Sequence, residues 1–388
     1  MVPDYWTEVV ILVNKKDPTP LSEVGAIFKR SKDLPIIVRV TRTDDRDADL
    51  EEGQRTKEII ELMKPHLRRC FSIIFDVLHG SSLPAPSRDL VGIGEDLSQL
   101  VLACQFDDGD PSWLSNADSE PIEDKDNPSV ITLTELQLHG HTIPDFLEHN
   151  SRILVTSSDI LVHFELANLD CRIYTERKGQ ILPEILQSMV TPMVETYTLN
   201  NIHLLPPSCD QEIDQTYTPI TETFSIKNLG GDTVKLLMSH LSFSQDCEVR
   251  IEACSLSEIS LKSIGHLHLV NIDDFLLPCL YAWQGVELQL SNCPGLTNLV
   301  LNALIGRNRL GTPRHELHDL TVIDCPNVSA TALKRFTTYM SIDCVAVFGH
   351  PYNMPPEEQR EVYDTMRKYG SRRVKAFSWN DRDMEDLA

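Results

Sequence analysis

From Val286 onward, apolar and polar residues alternate as they do on a strand with one face buried. In "VELQLSNCPG", Leu288 and Leu290 point one way, Glu287 and Gln289 the other, and Cys293 and Pro294 follow. The stretch "DLTVIDCPN", 32 residues further on, repeats the arrangement with Leu320, Val322 and Cys325-Pro326 in the same places. A search for apolar-x-apolar-x-x-(apolar or Cys) finds nine copies, starting at Leu136, Phe164, Tyr197, Phe224, Val249, Leu267, Leu288, Leu320 and Val345. Their spacing runs from 18 to 33 residues with a mean near 26. In the best single copy, "LTELQLHGHTI", Leu133, Leu136, Leu138 and Ile143 fill the apolar positions and His141 takes the place held elsewhere by cysteine.

That mean falls within the roughly 20 to 29 residues of a leucine-rich repeat, whose consensus places Asn or Cys where these cysteines stand. Helical patterns lie between the copies. "DTVKLLMSHLSF" puts Val234, Leu237, Met238 and Leu241 on one face, and "SATALKRFTTYM" opens with Ser329 as an N-cap. Strand followed by helix, repeated, predicts an α/β chain: an irregular leucine-rich-repeat solenoid, with a parallel sheet and helices behind it.

The first 106 residues read as an N-terminal strand-helix-strand cap with the opening repeats. "TPLSEVGAIFKR" predicts a helix with Thr19 as N-cap, Pro20 at the first helical position and Leu21, Val24 and Phe28 on one side. "LPIIVRV" and "CFSIIFDVL" read as buried strands flanking a helix with the stripe Ile59, Ile60, Met63 and Leu67, and "LSQLVLACQF" as a further repeat. Residues 107–130 form an acidic stretch rich in Pro, Ser and Asn, read as a loop. The solenoid is expected over 131–352, with a C-terminal capping helix and tail over 353–388.

Composition narrows the function classes. A formal net charge of −23 repels phosphate backbones and anionic lipid, which argues against nucleic acid and membrane as partners. The N-terminal apolar run is too short for a signal sequence or a membrane span. Ten cysteines are scattered without any Cys-x-x-Cys pair, the pattern of reduced thiols in a cytoplasmic or nuclear protein.

The stretch "PLSEVGAIFKRSKDLPIIVRV", followed by a helix and "FSIIFDVLHGSSLPAP", resembles the segment after the F-box in the fungal F-box/leucine-rich-repeat family, and "PDYWTEVVI" resembles that family's junction after the F-box. The resemblance implies a substrate-recognition subunit of a cullin-RING (SCF-type) ubiquitin ligase. The junction stands at residue 3, so the F-box is expected to be lacking. Docking to a Skp-type adaptor then requires an F-box upstream. The alternative is a free-standing leucine-rich-repeat scaffold or decoy with no ligase link.

No catalytic, cofactor or metal site emerges. In "DDRDADLEEGQRT", Asp45, Asp47 and Asp49 mimic the first calcium ligands of an EF-hand, but Leu50 and Thr56 stand where Gly and Glu belong. "HGH" (His139, His141) and "HLH" (His266, His268) each suggest two imidazoles on one strand face without a third ligand. "GIGEDL" lacks the third glycine of a dinucleotide loop, and nothing in the sequence ties a His or Asp to Ser81 or Ser82. Cys254, Cys293 and Cys325 share one repeat phase, where a small buried side chain fits.

If the apolar positions face the core, the residues between them face the open side of the sheet. Those positions include Glu135, Glu165, Glu248, Arg250, His268, Glu287, Gln289 and Asp319, five carboxylates against one guanidinium. Such a face would suit a protein substrate of basic character.

Overall fold

The computed structural model describes residues 7–43, 49–108, 133–148, 161–174, 180–190, 194–206, 215–256, 259–262, 264–310, 316–348 and 371–377, with 360 and 364. The chain divides into two compact units, residues 1–221 and 222–388, a boundary inside the region read as one run of repeats.

In the first unit, β1 (Glu8–Leu12), β2 (Ile36–Thr41), β3 (Cys70–His79), β4 (Gln99–Phe106), β5 (Glu135–His139), β6 (Leu161–Asp170) and β7 (Val194–His203) lie side by side in chain order. Every neighbouring pair is parallel. The second unit repeats the plan with β8 (Thr221–Lys227), β9 (Glu248–Glu252), β10 (His266–Val270), β11 (Glu287–Ser291), β12 (Glu316–Ile323), β13 (Ser341–Phe348) and β14 (Ser371–Phe377), again all parallel. Helices occupy several crossovers, among them Leu21–Arg30, Glu52–Met63, Ile181–Ser188, Gly231–His240, Asn298–Leu310 and Ala330–Tyr339. The expected α/β class with a parallel sheet is therefore present.

The sequence copies fall into register. Leu136, Phe164 and Tyr197 are direct neighbours on β5–β7, and Phe224, Val249, Leu267, Leu288, Leu320 and Val345 form one row on β8–β13. All nine are buried, and two positions on, a second row buries Ile226, Ile251, Leu269, Leu290, Val322 and Val347. Each such side chain contributes roughly 1.5–3 kcal/mol through its removal from water.

The turn leaving these strands has a recurring backbone cause. Gly140, Asn168, Asn201, Asn228, Ala253, Asn271, Asn292 and Asp324 all have φ between 48° and 55°, a left-handed conformation that Gly, Asn and Asp adopt most readily. At this point Asn292 N–H donates to Ile323 C=O (2.8 Å), so the ladder continues around the bend. The next residue then drops into the core: Cys254, Cys293 and Cys325 are 6%, 0% and 3% exposed. The shared phase of these cysteines is thus a packing position.

Several local expectations need correction. Thr19 does not cap the first helix; its Oγ1 accepts from Leu12 N–H at 2.8 Å. Pro20 occupies the N-cap position with extended backbone, and Leu21 is 37% exposed while Val24 and Phe28 are buried. Ser329 does cap, accepting from Ala332 N–H. The region 353–388 contains a strand, β14, that the reading as capping helix and tail lacked, and the rest lies outside the described residues save helical 360 and 364. The acidic stretch 107–130 lies outside them except for Asp107 and Asp108, as does the Tyr5-Trp6 junction.

Candidate functional site

On β8–β12 the residues between the core rows form two polar rows across the strands. One runs Thr223, Glu248, His266, Glu287, Asp319; the other Ser225, Arg250, His268, Gln289, Thr321. Strand alternation forces them onto the face opposite the core, and parallel pairing stacks them about 4.8 Å apart. Six of the eight sequence-derived partner residues, Glu248, Arg250, His268, Glu287, Gln289 and Asp319, are brought together here. Glu135 and Glu165 belong to the first unit, where they stand on the adjacent strands β5 and β6.

The carboxylates of this face stand beside imidazoles and a guanidinium. His266 Nδ1 is 2.8 Å from Glu287 Oε2, His268 Nδ1 is 3.7 Å from Glu248 Oε1, and Arg250 Nη2 is 3.2 Å from Glu252 Oε2. The acidic groups are interleaved with imidazoles and a guanidinium, yet Glu248 and Glu287 keep about half their side-chain surface, 50% and 47%. His268 is more enclosed: burial first, and the Arg250 charge second, lower its pKa from 6.5 to about 4. It is therefore a neutral ring near pH 7.

In the first unit a hydrogen-bonded chain crosses the same kind of face. Ser72 Oγ donates to Gln99 Oε1 (2.6 Å), and Gln99 Nε2 donates to Glu135 Oε2 (2.6 Å). Glu165 stands 3.4 Å from His163 Nε2 and accepts from Asn200 Nδ2 at 3.2 Å. Burial alone would raise the Glu165 pKa; the bonds from His163 and Asn200 outweigh it and hold the carboxyl below its usual value. "CFSIIFDVL" reads as a buried strand and "LSQLVLACQF" as a further repeat, but only strand pairing shows that Ser72 stands beside Gln99 and Gln99 beside Glu135.

The two histidine pairs differ. His266 and His268 share the open face of β10. His139 and His141 do not share a strand face: Gly140 at φ 53° turns the chain between them, and both rings are buried, at 7% and 3% exposure. His139 Nδ1 packs against the Cys104 backbone at 3.0–3.1 Å. Among the described residues no group of three or more His, Cys, Asp or Glu could hold a metal ion. Asp49 pairs with Arg55 at 2.9 Å, whereas Asp45 and Asp47 lie outside the described residues.

Ser81 does have acidic and imidazole neighbours, contrary to expectation. Its Oγ donates to Asp108 Oδ2 at 2.6 Å, and His79 Nδ1 is 3.7 Å from the same oxygen. The carboxylate thus sits between hydroxyl and ring, the wrong order for a nucleophile activated by an imidazole base.

The nine described cysteines are all buried free thiols. No helix among the described residues is long and apolar enough to cross a membrane. No family model and no curated protein matches the chain.

Proposed function

We propose that the chain is a protein-recognition module of the leucine-rich-repeat type, acting without catalysis, and that the open face of β9–β12 is its binding surface. The observation that carries this reading is the pair of in-register polar rows from Glu248 to Asp319 and from Arg250 to Thr321. Side chains with no role in the core stand in a repeating, half-exposed array, the format in which a stacked-repeat protein presents a broad surface to a partner. Glu248, Glu287 and Asp319 favour a basic protein segment, while neutral His268, Gln289 and Thr321 offer hydrogen bonds beside it. By its resemblance to F-box/leucine-rich-repeat proteins, the partner is a substrate presented for ubiquitination, with a Skp-type adaptor joining only through an F-box upstream. A free-standing scaffold uses the same surface without the ligase.

A photo-crosslinking residue placed at Gln289 or Thr321 tests this. Adducts with a captured partner are expected from these sites and not from Arg335, on the helix Ala330–Tyr339. Adducts from Arg335 alone would move the binding surface to the helical side.

A further inference from the structure

Cys293 and Cys325 occupy the same position on adjacent parallel strands. The pairing Leu290↔Val322 and Ser291↔Ile323 runs directly into them. Parallel neighbours lie about 4.8 Å apart, within the Cα separation of about 4.4–6.8 Å that a disulfide spans. Both side chains enter the core side of the turn, where Cys293 Sγ approaches Leu269 C=O (3.4 Å) and Ser291 C=O (3.3 Å), and Cys325 Sγ approaches Leu290 C=O (3.7 Å) and Ile323 C=O (3.5 Å). At the corresponding position of β10 stands Ile272, so Cys254 on β9 is one strand too far away. Two thiols in register on adjacent strands are more than packing requires, since an isoleucine fills the same place next door.

We propose that Cys293 and Cys325 are an oxidative modification site, which a hydroperoxide converts to a disulfide that staples β11 to β12. Cys293 attacks first: the neighbouring Cys325 thiol favours its thiolate and lowers its pKa, while Cys293 and burial raise that of Cys325. The Cys293 thiolate bonds to one peroxide oxygen, the O–O bond breaks, and the departing oxygen takes a proton, leaving a sulfenic acid. Cys325 sulfur then attacks the sulfenic sulfur. The S–S bond forms, the S–O bond breaks, and the hydroxyl leaves with the Cys325 proton as water. Two thiols have lost two electrons and two protons, and the peroxide is reduced. Exposures of 0% and 3% mean that the peroxide enters only when the turn opens locally, so the reaction is slower than at a free surface thiol. The disulfide closes a loop over residues 293–325, which holds the helix Asn298–Leu310 and ties the strand of Gln289 to that of Thr321.

The experiment treats the full chain with hydrogen peroxide under native conditions, removes the oxidant, alkylates in denaturant and maps the peptides. The expected product joins the Cys293 and Cys325 peptides, with an intact mass lower by two hydrogens. Its urea midpoint is higher than that of the reduced chain, and dithiothreitol reverses both changes. Cys279→Ala leaves the cross-link in place. Recovery of both cysteines singly alkylated would overturn the proposal, as would a sulfinic acid on either residue or a cross-link to Cys279 or Cys254. The wild-type peptide map decides the matter without a substitution at either cysteine.

Discussion

His266 Nδ1 and Glu287 Oε2 meet at 2.8 Å across β10 and β11, so one of the carboxylates on the open face of the second unit has an imidazole partner before any other protein arrives. A partner segment must compete with that ring or bridge to it. Because both groups are substantially exposed, the pair contributes only about 0–1 kcal/mol to folding. Glu287→Gln is expected to leave the thermal midpoint of unfolding within about a degree or two of wild type. A larger drop in calorimetry would mean that the pair has a structural role.

His268, two residues along the same strand, makes stability depend on pH. Its pKa falls from 6.5 to about 4 on folding. The unfolded chain therefore takes up a proton that the folded chain refuses, and stability present above pH 6.5 is lost as pH falls through that window. Arg250 and Glu252, with Glu248 and Glu287, are the charged groups that face the ring. Urea unfolding of His268→Gln at several pH values is expected to give a flatter dependence between pH 6.5 and 4; an unchanged slope would place the protonation elsewhere.

The left-handed residues are a direct test of the repeat turn. Asn292 has φ 49°, and its Nδ2 donates to Asn271 Oδ1 at 2.7 Å. Asn292→Gly keeps the backbone and loses one exposed hydrogen bond, whereas Asn292→Val forces a β-branched residue into the left-handed region at a cost of about 1–2 kcal/mol. Chemical unfolding should rank wild type and glycine close together, well above valine. Cys254→Ala, one residue past another such turn, is expected to cost about 1–3 kcal/mol through lost packing, and Cys254→Asp to unfold the repeat locally.

In the first unit, Glu52 is wholly buried and holds three donors. Arg42 Nη1 lies 2.9 Å from its carboxylate, and the Leu78 and His79 amides each donate at 3.1 Å. Glu52→Gln removes the nearer of two buried carboxylates beside Arg42, Asp49 Oδ2 remaining at 3.9 Å, and leaves two backbone donors facing a weaker acceptor; a loss of about 1–3 kcal/mol is expected. A variant as stable as wild type in urea would show that Asp49 alone compensates the Arg42 charge.

The core of the repeat is legible in the sequence because strand alternation is an exact period of two. Once Leu288 and Leu290 are placed inside, Glu287 and Gln289 must be outside, and the starting residues from Leu136 to Val345 take their register from the same rule. The left-handed asparagines are legible in hindsight, since Asn168, Asn201, Asn228, Asn271 and Asn292 stand four residues after the first core position. The pairing of Glu287 with His266 is not, because it depends on which strands are neighbours, and uneven intervals between copies leave that open. Thr19 misled for a related reason: its hydroxyl had a backbone partner on β1, so Pro20 took the cap position. The ion cluster around Glu52 carries no periodic pattern and was invisible until β2 and β3 were placed beside the helix Glu52–Met63.

The central claim is that the open face of β9–β12 binds a partner while the core alone sustains the fold. The most direct measurement is the affinity of a captured, purified partner for wild type and for the triple variant Glu248→Gln, Glu287→Gln, Asp319→Asn, at low and physiological ionic strength, with circular dichroism as the control for folding. Partner affinity is expected to fall in the triple variant at unchanged melting temperature, and wild-type affinity to fall as salt rises, since the attraction acts through exposed charge. Equal affinity in all four conditions would contradict it.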